Sequence, residues 1–145
     1  LRGVAAEEAR EVNLRDALVR DEGLRLKPYR CTAGKLTIGV GRNLDDVGIS
    51  REEAMHMLDN DIARVKADAT HAFPWFGRLD PVRQEVVLNM VFNLGINRFS
   101  QFHQTIKCIE AFDYAGAADR MLQSLWAKQV GARAIRLANQ MRNGH

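Results

Sequence analysis

The pattern of apolar and polar positions predicts a mostly helical chain with one short β segment. The clearest helix start is Asp80 followed by Pro81, an N-cap residue and a proline suited to the first turn. From there to Gly95, which predicts the helix end, apolar residues lie on nearly every side, as is typical of a buried helix. Further helices are predicted at about residues 99–111, 114–124 and 132–141.

A long amphipathic helix is predicted upstream of this buried helix. Ser50 and Glu53 have the spacing of a capping box, which marks its start. The helix should end before Pro74, because the residue that precedes a proline disfavours helical backbone. Its predicted apolar face comprises Ala54, Met57, Leu58, Ile62 and Val65.

A short helix is predicted near the start of the chain. Asn13 has the character of an N-cap, and Gly23 suits the left-handed position that follows a helix. The apolar side of this helix comprises Leu14, Ala17 and Leu18. Glu22 is therefore expected at the very end of the helix.

The segment over residues 24–40 has a β pattern instead. Strands are predicted at 29–31 and 36–40, with the turn at 32–35. The predicted fold class is α+β, mainly α, with residues 1–12 as an N-terminal extension and 13–145 as one domain. Within that domain we expect a small hairpin lobe over about 13–60, a long connecting helix, and a helical lobe over about 61–145. A cleft between two such lobes is a usual place for a ligand.

Composition and charge narrow the range of partners only slightly. The chain has 145 residues, 46% hydrophobic and 27% charged, which is ordinary for a globular domain. Its net charge of +3 suits an anionic polymer such as a cell wall, a nucleic acid or a membrane surface. Acidic residues are interspersed with basic ones in nearly every predicted helix, which argues against a nucleic-acid binder. No apolar run reaches the roughly 20 residues of a membrane helix.

Three residues could carry the chemistry of a glycoside hydrolase. Such an enzyme needs a proton donor for the leaving oxygen and a nucleophile or water-positioning group on the opposite face of the sugar. Glu22 at a helix end, Cys31 on the first strand and Thr37 on the second occupy suitable places. Taken alone, the three residues are better explained as a solvated carboxylate, a small buried thiol and a strand former.

Neither a metal site nor a cofactor site is predicted. The four histidines lack metal-ligand spacing with one another or with acidic residues, and the glycines at 39 and 41 do not form a phosphate-binding loop. Cys31 and Cys108 do not make a disulfide framework, and we predict that they are not bonded to each other in the active form.

The segment that starts at Asp21 resembles the signature of phage-type, T4-like lysozymes. That pattern is Glu, eight residues, Asp or Cys, five residues, Thr, and Glu22, Cys31 and Thr37 match its spacing. The stretches at 79–83, 89–95, 124–126 and 131–134 also resemble the family, so the similarity runs from about residue 14 to residue 141. The resemblance implies a two-lobed lysozyme-like fold with Glu22 as catalytic acid and Cys31 and Thr37 as its catalytic partners. Many members carry Asp where this chain has Cys31, and a thiol with its ordinary pKa of about 8.5 supplies less charge at neutral pH.

The resemblance also implies supporting residues in the helical lobe. Arg133 aligns with an arginine that pairs with the catalytic glutamate in this family, and Arg136 is expected near Asp21. Asn89 and Asn93 lie one turn apart on the otherwise apolar helix, where a groove edge would satisfy their hydrogen bonds. Trp126 and Gln129 are expected to line the sugar-binding groove, although a tryptophan in a helical lobe is often simply core. Arg42 stands where the best-known members have histidine, so no role is carried over to it.

The function implied is that of an endolysin, a hydrolase of the β-1,4 bond between N-acetylmuramic acid and N-acetylglucosamine in bacterial peptidoglycan. Two alternatives stay open: a lytic transglycosylase, and a non-catalytic peptidoglycan-binding protein of the same fold. We expect a monomer that is made in the cytoplasm of an infected bacterium and acts in the periplasm. The chain begins at Leu1 and shows no secretion signal, which leaves room for an export or anchor segment that precedes it.

Overall fold

The computed structural model describes residues 13–145, which form a small antiparallel sheet and a series of helices. Residues 13–22 are the described part of the first helix, α1. The strands β1 (Arg25–Arg30), β2 (Leu36–Gly39) and β3 (Arg42–Asn43) form one sheet in that order. The following helices are α2 (Arg51–Ala72), α3 (Pro81–Leu94), α4 (Ile96–Phe99), α5 (His103–Glu110), α6 (Tyr114–Gln123), α7 (Leu125–Val130) and α8 (Ala132–Asn143), with a 3-10 turn at Phe76–Arg78. The predicted α+β, mainly α, fold class is confirmed, and the predicted N-terminal extension lies outside the described residues.

The helix starts that rest on side-chain caps are confirmed. Ser50 and Glu53 form the predicted capping box, since each backbone N–H donates to the other side chain at 3.0 Å. Asp80 accepts a hydrogen bond from the Arg83 backbone N–H at 3.0 Å and so caps α3. The prediction for Asn13 is wrong: this residue is already helical, so it lies inside α1 and is not its N-cap.

The predicted strands differ from the observed ones at four places, the smallest being that β2 ends at Gly39 and not at residue 40. β1 begins at Arg25, four residues earlier than predicted, and includes Pro28. A proline is tolerated there because β1 is an edge strand, whose outward N–H groups need no ladder partner. Cys31 follows β1 and belongs to the turn, whereas the prediction placed it on the strand. The two-residue strand β3 was not predicted, because so short a segment has no readable alternation.

The chain divides into two compact units, one that ends at Met55 and one that begins at His56. The second unit contains an apolar core in which the side chains of α3 are central: Val86, Val87, Met90 and Val91 are all buried, which confirms the predicted buried helix. The other large members come from the 3-10 turn and the later helices, namely Phe76, Phe99, Ile109, Met121, Trp126, Leu137 and Met141. That residues 13–145 act as a single domain stays a prediction.

The apolar face predicted for α2 is confirmed only in part. Val65 is buried and Ala54 and Leu58 are half-buried, whereas Met57 and Ile62 are exposed. The reason is that the core of the second unit begins at Val65, so only the last two turns of α2 reach it.

Arg83 ties the end of α8 to the start of α3. Its guanidinium donates to the carbonyl oxygens of Met141 at 2.6 Å and Arg142 at 3.0 Å, and pairs with Asp80 at 2.9 Å. It also lies 3.8 Å above the ring of Tyr114, a cation–π contact. Carbonyl groups at a helix end lack partners within the helix, so this arginine satisfies two of them.

Candidate active site

Glu22 is the last helical residue of α1. Gly23 follows with a left-handed φ of 78°, and its N–H donates to the Val19 carbonyl at 2.9 Å, which closes the helix. The Glu22 side chain is exposed. The structure therefore places this carboxyl where the sequence predicted it, at a helix end and open to solvent.

The carboxyl group of Glu22 lies against Gly41, in the turn that joins β2 to β3. An ideal Cβ built on Gly41 would come within 2.8 Å of Glu22 Oε2, 3.2 Å of its Cδ and 3.3 Å of its Cβ. Gly41 has a φ of +65°, a conformation that favours glycine. Because glycine lacks a Cβ, the glutamate can pack directly against the main chain of this turn.

Cys31 lies in the tight turn between β1 and β2. Its N–H donates to the Lys35 carbonyl at 3.0 Å, and its own carbonyl accepts from the Gly34 N–H at 2.8 Å. The Arg30 guanidinium closes the turn from outside by donating to the Gly34 carbonyl at 3.0 Å. The main chain around Cys31 is therefore fixed by hydrogen bonds on both sides.

The structure brings the side chains of Cys31 and Thr37 together. Hydrogen bonds from the backbone N–H groups of Lys35 and Ala33 lower the pKa of the Cys31 thiol, and the Thr37 hydroxyl contributes further. Thr37 is buried on β2, and its Oγ1 donates to the Lys35 carbonyl at 2.9 Å. A lower pKa raises the thiolate fraction at neutral pH, which reduces the charge difference between Cys31 and the aspartate of many relatives.

Arg42, which was given no role from the sequence, anchors the turn that carries Gly41. Its guanidinium makes two hydrogen bonds to Glu53 at 3.0 and 2.9 Å and a third to the Gly48 carbonyl at 3.1 Å. Arg42 lowers the pKa of Glu53 to about 2, with further help from Ser50. This bidentate pair joins β3 to the first turn of α2, and it can be recognised only once the two elements are in place.

The predicted residues of the second unit form two hydrogen-bonded pairs. Arg133 Nε donates to Asn89 Oδ1 at 2.9 Å, and its Nη2 donates to the Asn89 carbonyl at 3.4 Å. The indole N–H of Trp126 donates to Asn93 Oδ1 at 2.8 Å. The two asparagines of α3 thus find partners within the protein, whereas the sequence suggested that a groove edge would supply them.

At least one residue of each pair lines a cavity of the second unit. Trp126 is buried in the core, with its ring edge-to-face to Phe102 at 6.4 Å, and it also lines a cavity of about 600 Å³ together with Gln129. Arg98 of α4 and Arg120 of α6 line the same cavity, and none of the described residues in its wall is acidic. Asn89 and Arg133 line another cavity of about 510 Å³. The sequence did not predict that these two arginines share a cavity, because they are 22 residues apart and come together only when their helices pack.

The predicted pairing of Arg133 with Glu22, and of Arg136 with Asp21, stays a prediction. Glu22, Cys31 and Thr37 belong to the first unit, and Asn89, Asn93, Trp126, Gln129 and Arg133 belong to the second. Within residues 13–145, no group of three His, Cys, Asp or Glu side chains is placed to hold a metal ion. None of the helices in the same residues is both long and apolar enough to cross a membrane.

Glu22 at a helix end, the Cys31 thiol of lowered pKa and the buried Thr37 hydroxyl all lie in the first unit, and their catalytic roles stay a prediction. Residues 19–142 match the model of the phage lysozyme family, a range that includes all the predicted site residues. The chain therefore belongs to the phage lysozyme family.

Several curated proteins are similar to this chain. One is the SAR-endolysin of Escherichia phage Mu, 34% identical over 78% of this chain and 66% of its own length. Another is the endolysin of Acyrthosiphon pisum secondary endosymbiont phage 1, 35% identical over 79% of this chain and 78% of its own. A protein named "Probable T4-type lysozyme 1" from Dictyostelium discoideum is 26% identical over 91% of this chain and 95% of its own.

Proposed function

We propose that this protein is an endolysin that hydrolyses the β-1,4 bond between N-acetylmuramic acid and N-acetylglucosamine in bacterial peptidoglycan. The observation that carries the proposal is the position of the Glu22 carboxyl, which is exposed at the end of α1 and packs against Gly41. Glu22 is also the first residue of the Glu–Cys–Thr pattern of the phage lysozyme family. The phage lysozyme family and the endolysins among the relatives support it.

In this proposal Glu22 is the general acid. It donates its proton to the glycosidic oxygen as the bond to the anomeric carbon breaks, which removes the need to expel an alkoxide. Its position at a helix end leaves the carboxyl free to meet a substrate without disturbing the helix.

Cys31 and Thr37 serve the other face of the sugar. The backbone N–H groups of Lys35 and Ala33 stabilise negative charge on the Cys31 sulfur, so the thiolate can accept a proton from water or attack the anomeric carbon itself. In the first case water adds directly and the anomeric configuration inverts. In the second case a thioglycoside forms, water then displaces the sulfur, and the configuration is retained. The anomeric configuration of the fresh product, read by NMR, distinguishes the two.

The cavity beside Trp126 and Gln129 is the proposed contact with the polymer. Arg98 and Arg120 lie in its wall, where no acidic residue of the described part of the chain opposes them, and this suits the carboxylates of a peptide-bearing glycan. Arg133 is proposed to support the site from its hydrogen bond with Asn89.

The proposed setting is bacterial lysis by a phage. The protein would be made in the cytoplasm of the infected cell, act as a monomer on the wall in the periplasm, and release progeny. The endolysins among the relatives support this setting.

The test is the clearing of a peptidoglycan suspension by the wild-type chain and by Glu22→Gln. The substitution keeps shape and removes the proton, so clearing should be abolished while folding and wall binding persist. Glu110→Gln is a matched control, because Glu110 is also an exposed glutamate at the end of a helix. Appreciable clearing by Glu22→Gln would refute the assignment of the acid.

Product analysis separates the alternatives. Hydrolysis leaves reducing ends, a lytic transglycosylase leaves anhydro-sugars, and a binding protein leaves the polymer intact. Anhydro-sugars, or binding without cleavage, would overturn the proposed reaction.

A further inference from the structure

We infer that Gly41 is a positioning residue for Glu22: the missing side chain at this turn is what allows the carboxyl to occupy its place. This inference rests on the proposed function, because it assigns a task to the contact around the proposed catalytic acid. Three atoms of Glu22 lie within 3.3 Å of the point where a Cβ would stand.

The contact is specific to Gly41 and not a property of the turn as a whole. Gly39 is two residues earlier and has nearly the same φ, +69° against +65°. A Cβ on Gly39 would meet no atom of residues 13–145 within 4 Å, whereas a Cβ on Gly41 would meet Glu22 Oε2 at 2.8 Å. Both glycines satisfy a left-handed backbone, but only Gly41 also leaves room for a functional group.

The turn is held in place from its other side. Arg42, the next residue, is fixed by two hydrogen bonds to Glu53 and one to the Gly48 carbonyl. If a side chain were added at residue 41, the main chain could not easily retreat, because its neighbour is tied to α2. We expect the exposed end of the Glu22 side chain to move instead, because its bonds can rotate and it is surrounded by solvent.

A substitution at Gly41 should therefore reduce catalysis more than stability. Displacing a catalytic group by about 1 Å can cost on the order of 100-fold in rate, even when binding is unchanged. The loss should fall on kcat and leave KM and the binding of purified walls unaffected, because the displaced carboxyl acts on the bond and not on the polymer as a whole.

The experiment compares Gly41→Ala with Gly39→Ala. Both variants add a Cβ at a residue of nearly equal positive φ, so the strain that such a φ imposes on alanine is common to both. The expected result is a similar drop in Tm for the two variants and a kcat lower by about 100-fold in Gly41→Ala than in Gly39→Ala. Equal kcat in the two variants would overturn the inference, since strain alone would then explain the loss.

Two further measurements keep the test decisive. If the alanine variants do not fold, Gly41→Asn and Gly39→Asn replace them, because asparagine tolerates left-handed backbone better. The NMR resonance of the Glu22 carboxyl carbon should shift in the variant at position 41 and not in the variant at position 39. An unchanged resonance at position 41 would overturn the contact, and this holds even if Glu22→Gln were to show that the proposed function is wrong.

Discussion

Residues 13–55 and residues 56–145 differ in where their apolar side chains lie. In the first range Thr37 is the one residue that is buried, and large apolar residues such as Leu24, Leu26 and Val47 are exposed. In the second range twenty apolar residues form a continuous core. The first unit relies instead on polar contacts, among them the Lys35–Asp46 ion pair at 3.0 Å and the Asp45 carboxylate that accepts from the Leu36 N–H at 2.8 Å.

This difference suggests that residues 56–145 provide most of the stability and that residues 13–55 provide the chemistry. A unit with few buried apolar contacts opens locally at a lower cost in free energy, and functional elements are commonly found in such regions. Hydrogen bonds are directional, so they can hold the turn that carries Cys31 and the turn that carries Gly41 at defined positions, which apolar packing does only loosely. We expect substitutions in the first unit to change activity and substitutions in the second to change the free energy of unfolding.

The largest expected effect concerns Cys31. Cys31→Ser should reduce lysis by about 100-fold or more, a usual share for an acid–base group, because a serine hydroxyl does not ionise at neutral pH. Cys31→Asp should stay active, since a carboxylate can accept the same hydrogen bonds from Lys35 and Ala33. Both are measured as initial rates of clearing, and full activity of Cys31→Ser would show that the thiol is a bystander.

Thiol capping tests the same residue in the unaltered fold. Iodoacetamide should inactivate the protein through Cys31. The matched control is Cys108→Ala, which removes the other free cysteine, a residue of α5 packed against the core. This variant should lose activity on capping as the wild type does, and survival of its activity would place the sensitive thiol at Cys108.

The next largest effect is expected in the core of the second unit. Phe99 is fully buried, with ring contacts to Phe73 at 5.5 Å and Phe102 at 6.0 Å. Phe99→Ala should lower the free energy of unfolding by about 3–5 kcal/mol, the usual cost of removing a buried aromatic ring. Phe92→Ala, at a ring that is 47% exposed, is the control and should cost clearly less in chemical denaturation. Equal costs would contradict the described core.

A smaller effect is expected at Arg83. Arg83→Met keeps much of the apolar stem but removes the hydrogen bonds to the last carbonyls of α8. We expect a loss of about 2 kcal/mol, since a hydrogen bond to a charged group typically contributes about 1.5–3 kcal/mol. Arg78→Met, at an exposed arginine of the 3-10 turn, should be nearly neutral in the same denaturation assay. A neutral Arg83→Met would show that the end of α8 needs no such tie.

The smallest effect is a pH dependence within the first unit. The pKa of Glu53 is lowered from 4.5 to about 2, chiefly by Arg42. A depressed pKa means that the ion pair contributes its full stability above about pH 4.5 and loses it as the pH falls toward 2. The Tm of the wild type should therefore exceed that of Glu53→Gln near neutral pH and converge with it in acid. A difference that persists below pH 2 would argue against the ion pair.

The parts of the fold that were predictable are those that local sequence determines. The Asp80 cap, the Ser50 and Glu53 box and the buried face of α3 each depend on residues a few positions apart, so the sequence displays them directly. Helix α7 was not predicted, because it begins at a Ser124 cap directly after α6, and two abutting helices have no loop to separate them.

The site was predictable only in part, and for a different reason. Glu22, Cys31 and Thr37 were identified by the spacing of a known family, since their residue types alone have ordinary structural explanations. The contact of Glu22 with Gly41 and the ion pair of Arg42 with Glu53 depend on how α1, the turn between β2 and β3, and α2 pack in three dimensions. A pattern of neighbouring residues does not determine this packing, so these features could be found only in the structure.

The buried hydroxyl of Thr37 has one proton and two neighbours that can accept it. While the Cys31 sulfur is protonated, the hydroxyl is free to donate to the Lys35 carbonyl, as its 2.9 Å hydrogen bond shows. We expect the same proton to turn toward the sulfur when the thiol ionises, because the Thr37 hydroxyl lowers the pKa of Cys31. Among the described residues, the Lys35 carbonyl would then keep the Cys31 N–H as its partner, so the charge of the thiol would change the hydrogen bonding of its own hairpin. Amide hydrogen-exchange rates of residues 31–37 should therefore differ between the thiol and the thiolate of Cys31. The ionisation of this cysteine could then be measured from its hairpin without any substrate present.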